Sequence, residues 1–90
     1  AKAWVEGLDE NEKNQFNNLQ VICTIYNQDN QPIGEITINA LQNDQNNPVT
    51  ANIEIPEGNN TIRFKLQGQT GYPENPTTID FQVHIAIETP

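Results

Sequence analysis

Residues 49–66 read VTANIEIPEGNNTIRFKL. Val49, Ala51, Ile53 and Ile55 alternate with Thr50, Asn52 and Glu54. After the turn Pro56-Glu57-Gly58-Asn59-Asn60, the apolar Ile62, Phe64 and Leu66 alternate with Thr61, Arg63 and Lys65. Successive side chains of an extended strand point to opposite faces. A period of two on both sides of a Pro/Gly/Asn turn therefore predicts a half-buried antiparallel pair. Phe64, between Ile62 and Leu66 on one face, is expected at the centre of the core.

The same period extends outward in both directions. In residues 19–26, Leu19, Val21, Cys23 and Ile25 face one way, and Gln20, Ile22, Thr24 and Tyr26 the other. The polar loop Asn27-Gln28-Asp29-Asn30-Gln31-Pro32 joins this run to a second one over residues 33–40, with Ile36, Ile38 and Ala40 in phase, and residues 43–48 form another turn of similar composition. In residues 77–88, Ile79, Phe81, Val83, Ile85 and Ile87 line the inward face and His84 lies on the outward one. Gly68, Gly71, Pro73 and Pro76 exclude a central strand over residues 67–76. Residues 1–7 read as a short strand whose Trp4 caps one end of the core, with an exposed position as the competing reading. Residues 8–18 break the alternation. Asp9 and Glu12 have the spacing of a capping box, which predicts two helical turns over residues 10–16, with a polar loop as the competing reading. The chain as a whole reads as all-β: an antiparallel β-sandwich of about seven strands, with a small open barrel as runner-up.

Ninety residues fit one domain spanning 1–90. Twelve acidic and four basic side chains give a net charge of −8. Such a chain is a poor partner for nucleic-acid backbones, is repelled by anionic membranes, and is expected to be monomeric. No apolar run approaches the ~20 residues of a membrane-spanning helix. Cys23 is the sole cysteine, so an intramolecular disulfide is impossible, and its parity places it inward as a small hydrophobe. Asn and Gln make up 23 of the residues. They alternate with apolar positions or sit in turns, as the polar face of a folded domain does. The chain begins with Ala1 and reads as an excised fragment or mature product.

The string Ile53-Glu54-Ile55-Pro56-Glu57-Gly58-Asn59-Asn60-Thr61-Ile62-Arg63-Phe64-Lys65-Leu66 resembles the E–F corner of bacterial immunoglobulin-like and fibronectin type III-like modules. The run from Tyr26 through Gln31-Pro32-Ile33-Gly34 is similar to a hairpin that such modules carry. The resemblance covers residues 19–88. It departs from the antibody pattern in lacking a cysteine pair and in having Phe64 where a corner tyrosine is expected. It implies an immunoglobulin-like fold and a role as a spacer, adhesion unit or accessory binding domain of a larger extracellular or virion protein.

The residues themselves carry no catalytic motif. His84 is the only histidine, and serine is absent from the chain. A triad would need a nucleophile beside the base, and Cys23 points the other way. No enzyme activity, cofactor or metal is expected. The loops 27–31 and 43–47 each offer one Asp plus amide oxygens, a composition that calcium shares with ordinary solvated turns. Trp4, Tyr26 and Tyr72 are the candidate contacts for a glycan or protein partner, with Tyr72 in the Gly/Pro-rich 68–78 loop. Asn59-Asn60-Thr61 matches a glycosylation acceptor, relevant in a secreted eukaryotic product. The expectation is a non-catalytic extracellular or cell-surface module.

Overall fold

The structure, a computed structural model, describes residues 1–70 and 79–86. These residues form β1 (Lys2–Glu6), α1 (Glu10–Lys13), β2 (Phe16–Tyr26), β3 (Pro32–Asn39), β4 (Val49–Thr50), β5 (Thr61–Thr70) and β6 (Gln82–Ala86). The strands make two antiparallel three-stranded sheets, ordered β4-β1-β6 and β3-β2-β5. The chain is therefore all-β, with one short turn of helix.

The core lies between the sheets. It comprises Ala3 and Val5 of β1, Leu19, Val21, Cys23 and Ile25 of β2, Ile36 and Ile38 of β3, and Ala40. These are the inward parities read from the sequence for β2 and β3, and no polar side chain among the described residues is buried with them. Each large aliphatic residue here contributes roughly 1.5–3 kcal/mol by leaving water. The β2–β3 hairpin closes through Asn27, whose Oδ1 accepts from the backbone N–H of Asp29 and of Gln31 at 3.0 and 2.9 Å. Asn30 takes the left-handed conformation, φ 60°, a region that Asn tolerates better than most residues.

The capping box is present. Asp9 Oδ1 accepts from the Glu12 N–H at 2.7 Å, and Glu12 Oε1 accepts from the Asp9 N–H at 3.1 Å. The helix ends at Lys13, short of the two turns expected. β2 starts at Phe16, so the strand claims residues that propensity left undecided.

Three expectations are corrected. Residues 49–66 are not a pair. β4 joins β1 in one sheet (Ala3↔Val49), and β5 joins β2 in the other (Cys23↔Phe64). Residues 51–60 carry the chain from sheet to sheet without strand structure. Their alternation is real, with Ala51, Ile53 and Ile55 half-buried and Asn52 and Glu54 exposed. It arises because the segment seals the rim of the core. Ile53 packs so closely on Gly34 that a Cβ there would lie 2.8 Å from Ile53 Cδ1. Alternation reports a wet side and a dry side, and it leaves the hydrogen-bond partner open.

Phe64 is not at the centre of the core. It shares a face with Cys23, as its parity required, yet it is 55% exposed, and Leu66 is 57% exposed. β1 and β4 lie against β3. Among the described residues, the covering sheet thus sits over β3 and β2 and reaches β5 only at Ile62, leaving Phe64 and Leu66 largely exposed. Trp4, expected to cap the core, lies on the opposite face of β1 from the buried Ala3 and Val5, and is half-exposed. In a five-residue strand with Ala3 and Val5 inside, strand geometry puts Trp4 outside. Two boundaries also move. Residues 67–70, expected to begin the irregular stretch and the 68–78 loop, continue β5 as an edge strand. Of the strand expected over residues 77–88, the described residues 79–81 are not strand, and Ile79 and Phe81 pack on the core just ahead of β6. Tyr72 lies outside the described residues.

Candidate functional site

On the outer face of the β4-β1-β6 sheet, β1 and β6 bring three side chains together. Trp4 and Glu6 stand two residues apart on one strand, and Trp4 is directly opposite His84 on the other. The Trp4 and His84 rings stack with centroids 5.3 Å apart and planes 4° from parallel. The indole Nε1–H donates to Glu6 Oε1 at 3.0 Å, and Glu6 Oε2 lies 3.2 Å from His84 Nε2. That second contact is an electrostatic approach without hydrogen-bond alignment, since Nε2 is shut off from solvent and makes no hydrogen bond. One carboxylate thus bridges an aromatic pair across two strands. The three side chains tie β1 to β6 across the outer face of the sheet. Cys23 faces the interior between the sheets, where burial pushes its thiol pKa up and keeps it protonated.

The other sheet carries the second arrangement. On its outer face, Arg63 of β5 lies over the Tyr26 ring of β2, 4.9 Å from guanidinium carbon to ring centroid. Such a cation–π contact contributes about 0.5–1 kcal/mol at an exposed site. Lys65 follows on the same face. On the inner face, Ile62 packs against the core, Phe64 and Leu66 stand bare, and Gly68 leaves room for Leu19. A Cβ on Gly68 would lie 2.9 Å from Leu19 Cδ1. β5 pairs only with β2 among the described strands, so among the described residues its other edge has no backbone partner.

In the loops considered for calcium, one side-chain oxygen of each is taken up by its own loop. Asn27 Oδ1 closes its own loop, and Asp44 Oδ1 accepts from the N–H groups of Asn46 and Asn47, both at 3.0 Å. Among the described residues no three His, Cys, Asp or Glu side chains cluster as metal ligands would.

The candidate contacts named from the sequence are therefore not one site. Trp4 lies on the outer face of one sheet, Tyr26 lies on the outer face of the other, and Tyr72 falls outside the described residues. The reading from sequence missed Glu6 and the Trp4–His84 stack. Trp4 and Glu6 share a parity, which was a legible signal, but their partner depends on the register of a strand about eighty residues away. It also missed the exposure of Phe64 and Leu66 on β5, for which the sequence holds no local signal. No family model, curated protein or solved structure matches the chain.

Proposed function

We propose that the chain is a non-catalytic contact module, an adhesion or accessory-binding unit of a larger extracellular, cell-surface or virion protein, built on an immunoglobulin-like β-sandwich. The observation that carries this reading is the ten-residue strand β5, which has Phe64 and Leu66 bare on one face and no neighbour on its outer edge among the described residues. Single exposed apolar residues need no explanation. Two successive ones along a long free edge are what sheets normally guard against, and they are retained where something docks. A module acting only as a spacer has no use for such a face.

The alternative is a glycan- or protein-binding accessory domain that uses the 68–78 loop, with Tyr72 outside the described residues and Tyr26 and Trp4 as its other aromatics. Trp4 has one ring face covered by His84, and Tyr26 has one covered by Arg63. The net charge of −8 opposes self-association. The isolated domain is expected to sediment as a monomer.

Selection from a random peptide display library, run beside a glycan array, tests the reading. Peptides should be enriched, and their binding should vanish in the double variant Phe64→Ser, Leu66→Ser while the domain stays folded. Enrichment of glycans alone, lost in Trp4→Ala or Tyr26→Ala, would move the assignment to the alternative.

A further inference from the structure

We infer that β5 is a strand-addition site, and that its occupant is an extended segment in which apolar residues alternate with Asp or Glu. This rests on the contact-module reading and specifies the partner. In an antiparallel ladder alternate residues turn their N–H and C=O toward one neighbour and then the other. The edge of β5 away from β2, without a partner among the described residues, thus offers a row of donors and acceptors along the ten-residue strand. A strand laid there would place its own side chains alternately beside the two faces of β5.

Those faces differ in chemistry. The inner one is Phe64 and Leu66, bare and apolar. The outer one is Arg63 and Lys65, two of the four cations in a chain of net charge −8. Among the described residues neither is in an ion pair, and Arg63 rests on Tyr26. The carboxylate in the same cross-strand row as Arg63 is Glu35, two strands away, roughly 9–10 Å at ordinary strand spacing. An incoming strand with Asp or Glu on its outer face and apolar residues on its inner one complements both faces at once.

A second copy of this chain fits less well. Two β5 strands paired antiparallel with their faces matched would crowd Arg63 and Lys65 of both copies onto one side of the seam. Each copy would also carry its −8 charge into the pair. Charge therefore selects a different, acidic segment.

The full 90-residue chain is titrated with three fluorescent heptapeptides in which Ile alternates with Glu, with Lys or with Ser. Overall attraction to a protein of charge −8 favours the Lys peptide. The local site favours the Glu peptide, by at least about five-fold over the Ser peptide. Binding of the Glu peptide should slow hydrogen exchange at alternate β5 amides. Lys65→Glu should reverse the order of Glu and Lys peptides. Lys13→Glu, the same change in net charge at a remote helix, should leave the order unchanged. A Lys peptide that binds tightest to the wild type would overturn the proposal. So would protection, in the free chain, of the β5 amides that point away from β2, or a dimer in sedimentation with protection at those same amides. Peptides selected through Phe64 and Leu66 without preference for acidic residues would overturn this inference and leave the contact-module reading standing.

Discussion

Phe64 and Ile38 look alike in the sequence, since each is a large apolar residue in phase with its strand. Their surroundings set them apart. Ile38 is fully buried, and truncating it to Ala should cost roughly 2–5 kcal/mol from lost transfer energy and the cavity left behind. Phe64 is 55% exposed, and Phe64→Ala should cost under ~1 kcal/mol. Urea melts of the two variants, with similar slopes, should show this contrast. A Phe64→Ala variant as damaged as Ile38→Ala would mean that a further layer covers β5. Parity told correctly which side Phe64 points to. Whether anything lies above that side depends on where the second sheet sits, and no neighbouring residue encodes that. Cys23 is the opposite case, because its burial was legible from parity alone. Burial raises its thiol pKa from the ordinary 9.0, so the folded state holds the proton more tightly than the unfolded chain. Its contribution to stability is intact below pH 9 and is lost as pH rises through the folded value. Cys23→Ala should be less stable throughout and have a flatter alkaline limb in pH-dependent melts. The native thiol should resist a thiol reagent until urea exposes it.

At the scale of elements, the strands with hairpin partners were readable and those with distant partners were not. β2 and β3 are joined by a loop whose Asn27 closes it locally, so adjacency in sequence and in space coincide. β4 and β5 flank an equally good turn composition, yet they part into different sheets, each taking a partner about forty to fifty residues away. What stands in place of the expected pair is the crossing segment 51–60, pinned at its start by the Ala1 ammonium, which donates to Ala51 O at 2.8 Å, and by the Ala51 N–H, which donates to Ala1 O at 2.9 Å. Further along, Ile53 fills the space above Gly34. Adding a methyl group in Gly34→Ala forces Ile53 aside and should cost about 1–3 kcal/mol by overpacking. Combined with Ile53→Ala, the same change should cost clearly less than the sum of the two single variants, with a coupling above about 0.5 kcal/mol in a double-mutant cycle. Additive costs would show that the segment does not pass over β3. The Trp4–Glu6–His84 group was unreadable for the same reason as β5's partner: it exists only once β1 and β6 have found their register.

At the scale of the whole molecule, the two-sheet body and its acidic surface followed from composition and alternation, and the stagger between the sheets did not. No described helix is long and apolar enough to cross a membrane. The pairing of β1 with β6 brings Lys2 opposite Ala86. Cα atoms of opposed residues in an antiparallel pair lie about 4.5–5.5 Å apart. The two ends of the described fold, at Lys2 and Ala86, therefore lie side by side. The same closeness makes the order of the strands negotiable. A flexible linker of about five residues should join the two ends, and new ends can be opened between Glu57 and Gly58, both exposed in the crossing segment. The permuted chain should keep the far-UV spectrum of the parent and melt within about 1–2 kcal/mol of it, because no strand pair in either sheet is severed. A permutant that fails to fold, while one opened within residues 43–47 succeeds, would mean that the crossing segment must be continuous for the two sheets to find each other.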